Sequence, residues 1–158
     1  MAKAILICGK IGSGKTTYAK RLMTEVKAVL LSVDEITLTL FSQHIAENHD
    51  EVVEKMQLYL FEKAVEIAAA GVDVILDWGF MAREERQHAG KFFAGNSICV
   101  EWHYVRVGDN ALHRNLTRRN ELIKNGELDF YLINDAVTAE MNSGFEEPEE
   151  GEMDVIVT

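Results

Sequence analysis

Proline, cysteine and positive charge are all scarce in this sequence, and each shortage narrows what the chain can be. The only proline, Pro148, lies in the acidic run of residues 146–152, which we expect to be a solvated surface loop. The two cysteines, Cys8 and Cys99, lie in apolar runs and are expected to be buried, reduced thiols. Neither the cysteines nor the five histidines have metal-ligand spacing, so no metal site of that kind is predicted.

The scarcity of positive charge argues against extended nucleic acid as a partner. Lys and Arg number 16 and Asp and Glu number 26, which gives a formal net charge of −10 and a pI near 4.9. Such a chain repels a phosphate backbone unless its cations are clustered. The apolar run after Met1 has only about five residues, too few for a signal peptide or a membrane span. We therefore expect a cytoplasmic protein without a membrane partner.

Apolar runs alternate with helical periodicity along the chain. Short continuous apolar runs predict buried strands at residues 4–8, 28–33, 72–76, 97–105 and 155–157. Apolar residues at helical spacing predict helices at 15–26, 82–92, 109–123 and 129–141, and a mostly helical stretch at 36–70. Asp109 is the expected N-cap of the helix that it begins. The alternation is typical of an α/β protein with a parallel sheet, and the length suits a single domain over residues 1–158.

A glycine-rich motif joins the first predicted strand to the first predicted helix. It fits G-x-x-x-x-G-K-[ST] at every fixed position with Gly9, Lys10, Ile11, Gly12, Ser13, Gly14, Lys15 and Thr16. The glycines let the backbone approach an anion, so successive N–H groups form a nest around a β-phosphate at a helix N-terminus. Lys15 reaches the β- and γ-phosphates, the Thr16 hydroxyl ligates Mg²⁺, and Thr17 is included among the nucleotide-binding residues. The predicted ligands are therefore Mg²⁺ and a nucleoside triphosphate, with ATP favoured over GTP because a guanine-reading N-K-x-D motif is absent.

Two aspartates lie where further parallel strands are predicted to end. Ligands of an open parallel sheet bind beyond the carboxyl ends of its strands, so Asp34 and Asp77 should converge on the phosphate-binding loop. Asp34 is the candidate base or orienter for an acceptor hydroxyl, and both carboxylates are candidates for the Mg²⁺ shell. The alternative is that each is only a helix N-cap or a turn residue. Glu35 could share the role of Asp34.

Arginines are concentrated in two places in this acidic chain. Arg114 and Arg118 are four residues apart on the helix after the fourth strand, with Arg119 beside them, and they predict a lid that closes over the phosphates. A solvated basic helix face is the alternative. Arg83 and Arg86 follow the third strand and are candidates for acceptor binding, although surface salt bridges explain them equally well.

Taken together, these segments resemble the small P-loop kinases of the AAA_33 / zeta-toxin-like group, which also includes polynucleotide 5′-kinase domains and chloramphenicol phosphotransferase. Besides the loop, the resemblance rests on Ser32-Val33-Asp34-Glu35, Ile75-Leu76-Asp77-Trp78-Gly79-Phe80, Arg83-Glu84-Glu85-Arg86, His103-Tyr104-Val105, Arg119-Asn120 and Phe145-Glu146-Glu147-Pro148. It implies a three-layer P-loop NTPase fold with a five-stranded parallel sheet of order 2-3-1-4-5 and a helical lid at about residues 109–128. It also implies that Asp34 is the catalytic base, that Arg114 or Arg118 contacts ATP, and that residues 145–150 lie near the adenine.

Three functions are compatible with this pattern. The leading prediction is an ATP-dependent kinase that phosphorylates a hydroxyl of a small molecule, with Lys15, Asp34, Arg114 and Arg118 as its catalytic residues. The second is a polynucleotide 5′-hydroxyl kinase, which the presence of only Lys55 and Lys63 between residues 28 and 70 disfavours. The third is a nucleotide-dependent switch or ATPase without transferase activity. The sequence leaves the acceptor and the oligomeric state open.

Overall fold

The computed structural model describes residues 1–41, 49–127 and 135–158. Within these ranges the strands are β1 (Lys3–Cys8), β2 (Val29–Ser32), β3 (Val74–Gly79), β4 (Cys99–Val105) and β5 (Val155–Val157). The helices are α1 (Lys15–Val26), α2 (Val33–Phe41), α3 (His49–Ala69), α4 (Arg83–Gly95), α5 (Asp109–Lys124) and α6 (Asp135–Ser143).

The strands form one parallel sheet of order β2-β3-β1-β4-β5, which confirms the predicted fold class and strand order. The central strand β1 is buried on both faces, as its continuous apolar run predicts, with Ala4 to Cys8 all at most 1% exposed. Ile7 lies opposite Asp77 on one side and His103 on the other. The register with β3 shifts after Ile7, so that Cys8 pairs with Gly79 immediately before the glycine-rich loop.

Helices cover the sheet on both faces and produce three layers. On one face, Ala19 and Leu22 of α1 pack against Ile5, Ile7 and Ile75. On the other face, α3 and α4 contribute an aromatic cluster in which Phe61 lies 5.5 Å from Phe93 and 5.3 Å from Trp78, measured between ring centroids. Each large apolar side chain buried in this way stabilises the fold by about 1.5–3 kcal/mol.

Several predicted boundaries shift by a few residues. The third strand continues through Asp77 to Gly79 instead of ending at residue 76, and Asp34 lies in the first turn of α2. Gly108, and not Asp109, is the N-cap of α5, because Asp109 already belongs to the helix. The predicted stretch 36–70 contains the two helices α2 and α3, and its residues 42–48 lie outside the described chain.

The remaining differences concern α6 and the cysteines. The helix predicted at residues 129–141 is described from Asp135 to Ser143, and residues 129–134 lie outside the described chain. Burial of Cys8 is confirmed, and burial raises the pKa of its thiol to about 12. The prediction that Cys99 is buried was wrong: it is exposed, because it is the first residue of β4 and lies before the part of that strand that pairs with β5.

Candidate functional site

The glycine-rich loop, residues 9–16, connects the buried end of β1 to the first turn of α1. Gly14 caps α1 with φ 93° and Gly12 has φ 86°, a left-handed region that side chains with a Cβ rarely enter. Gly12 must also lack a side chain because a Cβ there would lie 2.7 Å from Leu116 of α5. The loop therefore passes directly beneath α5 and ends at the N-terminus of α1.

Lys15 bends back over this loop. Its Nζ donates a hydrogen bond of 2.8 Å to the carbonyl oxygen of Lys10, which also accepts a 3.1 Å bond from the Ser13 amide. Burial lowers the pKa of Lys15 below its usual value of 10.5, while the negative charges of Asp77 and Asp34 oppose that shift. The ammonium group thus lies in the loop with two carboxylates near enough to act on its charge.

Asp77 is the buried acid of the site. Its Oδ2 accepts a 2.9 Å hydrogen bond from the Thr16 hydroxyl, and the residue is 4% exposed. Burial raises the pKa of Asp77, and Lys15 and Thr16 counter the effect. Two of the three residues predicted as Mg²⁺ ligands, Thr16 and Asp77, are therefore in direct contact.

Asp34 approaches the same place from β2. It is exposed in the first turn of α2, where the Glu35 amide donates to Ser32 Oγ at 3.3 Å. Its negative charge acts on Lys15, Asp77 and Arg119. The strand ends of β1, β2 and β3 thus bring Lys15, Asp34 and Asp77 together, as parallel-sheet geometry predicts.

The arginine that faces this cluster is Arg119. It is half-buried, burial lowers the pKa of its guanidinium, and the charge of Asp34 opposes that shift. Arg114 and Arg118 are exposed on α5. The sequence located the arginine cluster, and the orientation of α5 decides which arginine faces the loop. Asn115 and Leu116 fix that orientation, because Asn115 Nδ2 donates to Gly12 O at 2.9 Å and Leu116 covers Gly12. Arg119 lies one turn beyond both, on the side of the helix that faces the loop.

Arg83 and Arg86 bind the acidic strap, residues 145–152, which crosses the sheet face that carries α4. The side chain of Arg86 is 1% exposed, and its Nε lies 2.5 Å from Glu152 Oε1. Arg83 pairs with Glu149. These ion pairs occupy both guanidinium groups, so we do not propose that either arginine contacts an acceptor. The strap is largely exposed, as expected for a solvated loop, yet its carboxylates hold it to α4 and to Tyr104, whose hydroxyl donates to Glu147 at 2.9 Å.

The loop from Gly79 to Met81 is a part of the site that the sequence did not reveal. Gly79 accepts a 3.1 Å hydrogen bond from the Gly9 amide, and its backbone lies beside the Lys15 side chain. Phe80 has φ 45°, which is rare for an aromatic residue, and its carbonyl accepts a 3.1 Å bond from Arg86 Nη1. The sequence signal for this support is Arg86 itself, for which acceptor binding and a salt bridge explained the pattern equally well.

Two further expectations from the sequence concern the contact with adenine and the binding of a metal ion. Phe145 stacks on Tyr104 with ring centroids 5.9 Å apart, so it packs against the core, and the placement of residues 145–150 near an adenine stays a prediction.

The described residues contain no group of three or more His, Cys, Asp or Glu side chains that could hold a metal ion. The hydroxyl of Thr16 and the carboxylates of Asp77 and Asp34 are nevertheless hard oxygen donors, which suit Mg²⁺ when phosphates and water complete its shell.

Comparisons with known proteins agree with this geometry. The AAA_33 family model, described as an AAA domain, matches residues 5–148. A candidate kinase from Chloroflexus aurantiacus j-10-fl aligns with a TM-score of 0.74 at 17% identity, over 99% of this chain and 86% of that chain. A sugar kinase from Janibacter sp. HTCC2649 aligns with a TM-score of 0.68 at 17% identity, over 99% of this chain and 85% of that chain.

A third solved structure carries a nucleotide analogue. Kti12 from Chaetomium thermophilum, in complex with ADP-AlF3, aligns with a TM-score of 0.70 at 18% identity, over 98% of this chain and 87% of that chain.

A search of curated proteins finds no significant match to the sequence. The matches establish the fold of the P-loop kinases, and with the family they support a phosphotransferase at the general level. Among the described helices, none has both the length and the apolar character needed to cross a membrane.

Proposed function

The chain belongs to the AAA_33 family, and from that premise we propose that it is an ATP-dependent kinase acting on a hydroxyl of a small molecule. The observation that carries the proposal is the convergence of Lys15, Asp34, Asp77 and Arg119 around one loop, at the carboxyl ends of three neighbouring strands. Phosphoryl transfer needs cations for the phosphates and a carboxylate for the attacking hydroxyl. A module that only binds nucleotide needs no carboxylate at Asp34.

In the proposed reaction, the amides of Gly12 and of residues 14–17, at the N-terminus of α1, hold the phosphates, and Lys15 neutralises charge on the β- and γ-phosphates. To do so, its Nζ exchanges the Lys10 carbonyl for phosphate oxygens. Asp34 orients the acceptor hydroxyl and receives its proton. The hydroxyl oxygen forms a bond to the γ-phosphorus, the bond from that phosphorus to the β–γ bridging oxygen breaks, and ADP leaves with the bond's electron pair.

Arg119 supplies the positive charge opposite Lys15. Its guanidinium already lies within the electrostatic range of Asp34, on the inner side of α5. We therefore propose Arg119 as the lid arginine that contacts the phosphates. Arg114 and Arg118, which the sequence favoured, are exposed. We propose that their positive charge only adds to the general attraction of the nucleotide.

Mg²⁺ is the cofactor that the donor atoms of the site fit. Thr16, Asp77 and Asp34 would hold it, directly or through water, and the ion would supply charge neutralisation between the β- and γ-phosphates. The ADP-AlF3 bound to the related Kti12 structure supports nucleotide as the donor.

The acceptor side of the site favours a molecule that is not a polyanion. Lys55 and Lys63, the lysines of α3, pair with Glu51 and Glu66 of the same helix. Arg83 and Arg86, at the start of α4, pair with the strap. The cations near the acceptor side are thus already neutralised, which disfavours the polynucleotide alternative. A single domain over residues 1–158, a lid at about residues 109–128 and a cytoplasmic location stay predictions.

The test is a panel screen for ADP release stimulated by hydroxyl compounds. The panel would contain nucleosides, sugars, aminoglycoside-type and amphenicol-type antibiotics and 5′-hydroxyl oligonucleotides. Asp34→Asn should keep ATP binding and lose the stimulated turnover, while Glu35→Gln, its exposed neighbour, should keep both. Stimulation by oligonucleotides alone would favour the polynucleotide kinase. No stimulation by any compound, with slow hydrolysis unchanged in Asp34→Asn, would favour the switch.

A further inference from the structure

Asn142, near the end of α6, forms an unusual contact with the phosphate-binding loop. Its Oδ1 accepts a 2.9 Å hydrogen bond from the Ile11 amide, and its Nδ2 donates a 3.1 Å bond to the Ile11 carbonyl oxygen. One half-buried side-chain amide thus pairs with both polar groups of a residue 131 positions away. Only an amide side chain offers a donor and an acceptor side by side in this way.

The neighbouring carbonyls of the loop are held as well. Lys10 O accepts from Ser13 N and Lys15 Nζ, and Gly12 O accepts from Asn115 Nδ2. Three consecutive carbonyl oxygens, those of Lys10, Ile11 and Gly12, therefore have hydrogen-bond donors from the protein itself. Carbonyls held in this way cannot turn toward a bound phosphate.

The orientation of one carbonyl fixes the orientation of the next amide. In a planar trans peptide the C=O of Ile11 and the N–H of Gly12 point in opposite directions. Gly12 has φ 86° and no side chain, so little besides the hydrogen bonds opposes rotation of this peptide unit. When Asn142 binds Ile11 O, the Gly12 N–H is turned away from α6.

We propose that Asn142 is a positioning residue for nucleotide binding, which prevents the Ile11–Gly12 peptide from flipping and so keeps the Gly12 N–H available to a phosphate. The proposal rests on the proposed function only in taking a nucleotide as the ligand of the loop. Asn142 itself contacts the loop from its outer side. Its contribution is preorganisation: without it, ATP binding must also select the correct peptide orientation.

The experiment measures ATP affinity by calorimetry, without any acceptor, for Asn142→Ala, Asn142→Asp and the matched control Met141→Ala. Met141 is 52% exposed on the same helix. Loss of two hydrogen bonds predicts a Kd for ATP raised about tenfold in Asn142→Ala. Asn142→Asp keeps the acceptor for Ile11 N but places a carboxylate oxygen against Ile11 O. Because the two oxygens repel each other and favour the flipped peptide, this variant should weaken ATP binding at least as much. Met141→Ala should bind as the wild type does.

Two further readouts separate positioning from a purely structural role. With an identified acceptor, Asn142→Ala should raise KM for ATP and keep kcat at saturating ATP within about twofold, because bound ATP restores the peptide orientation. The Tm measured without ATP should stay within a few degrees of the wild type. Wild-type affinity in either Asn142 variant would overturn the inference alone. A wild-type chain that binds no ATP would overturn the proposed function and this inference with it.

Discussion

The hydroxyl of Thr16 donates a 2.9 Å hydrogen bond to the buried carboxylate of Asp77. This bond joins the first turn of α1 to the neighbouring strand β3, across the floor of the phosphate-binding loop. Both groups are hard oxygen donors, so a Mg²⁺ ion that arrived with ATP would meet them already adjacent. The bond also offsets part of the cost of burying the Asp77 charge.

Asp77→Asn should stabilise the protein at neutral pH and abolish its activity. Burial raises the pKa of Asp77, so the ionised carboxylate destabilises the folded state as pH rises from the usual 3.8 through the folded pKa. The uncharged variant avoids that loss, and we expect its Tm at pH 7 to be about 2–4 °C above that of the wild type. Thermal unfolding followed across pH checks the result.

The advantage of Asp77→Asn should disappear at acid pH, below the usual carboxyl pKa, where both proteins carry a neutral side chain at this position. Glu84→Gln, which changes an exposed acid at the start of α4, should leave Tm and turnover unchanged. A lower Tm for Asp77→Asn at pH 7 would show that the carboxylate stabilises the fold.

Arg119→Ala should reduce turnover about a hundredfold or more, because removal of a phosphate-neutralising arginine loses stabilisation of the transition state. Arg118→Ala is the matched control, since it removes an adjacent, exposed arginine of the same helix. We expect it to stay within about threefold of the wild type. The measurement is kcat for ADP release at saturating ATP, and a larger loss in Arg118→Ala would reverse the assignment.

Gly12→Ala should damage the loop for two separable reasons. It places a Cβ at φ 86° and 2.7 Å from Leu116. Gly71→Ala is the control for the backbone effect alone, because Gly71 has φ 84° and nothing within 4 Å. We expect Gly71→Ala to cost about 1 kcal/mol in the free energy of unfolding and Gly12→Ala about 2–3 kcal/mol.

Leu116→Ala in the Gly12→Ala background tests the steric part. The double variant should recover ATP affinity that Gly12→Ala loses, because the shortened side chain makes room for the new Cβ. Calorimetric Kd values for ATP, measured for the wild type, the two single variants and the double variant, give the coupling free energy between positions 12 and 116. Strictly additive losses would mean that α5 does not press on the loop.

Arg86→Met should destabilise the fold by about 3–5 kcal/mol, since it leaves the Phe80 carbonyl and Glu152 without their buried partner. Arg83→Met removes an arginine with a 43% exposed side chain that also pairs with the strap, and its effect on the free energy of unfolding should be much smaller. Urea unfolding of both variants checks the difference.

The same ion pair should give the wild type an acid-labile contribution to stability. Burial alone would raise the pKa of Glu152. The pKa nevertheless lies below its usual 4.5, because Arg86 and the Glu149 amide donate hydrogen bonds to the carboxylate and Arg86 is positively charged. The stabilisation is therefore complete above pH 4.5 and is lost as pH falls through the folded pKa. Arg86→Met should lack that part of the pH dependence, and an unchanged acid limb would contradict the assignment.

The sequence revealed the parts of the site that local pattern determines. The apolar run before Gly9 and the G-x-x-x-x-G-K-T spacing place the loop on the strand β1 and the helix α1, and the parallel sheet then brings Asp34 and Asp77 to it. These relationships depend on periodicity and chain direction alone. The fold class followed from the same evidence, and the strand order was implied by the resemblance alone.

What the sequence did not reveal depends on contacts between distant residues. The proposal of Arg119 in place of Arg114 and Arg118 requires the rotation of α5 about its axis, which the contact of Leu116 with Gly12 shows. The sequence could not decide between acceptor binding and a salt bridge for Arg86, because its partner Glu152 is 66 residues away in an acidic run expected to be solvated. The pairing of Asn142 with Ile11 spans 131 residues and carries no periodic signal.

The acidic strap has a consequence for how the protein matures on the ribosome. The β3–α4 loop, which lies beside Lys15, is held by Arg86, and Arg86 forms an ion pair with Glu152. The Met81 carbonyl likewise receives the Glu146 amide. A nascent chain that has exposed every proposed catalytic residue, up to Arg119, therefore still lacks Glu152, the acidic partner of the arginine that holds this loop. Competence to bind nucleotide tightly should thus appear late in synthesis, after residue 152 has left the exit tunnel.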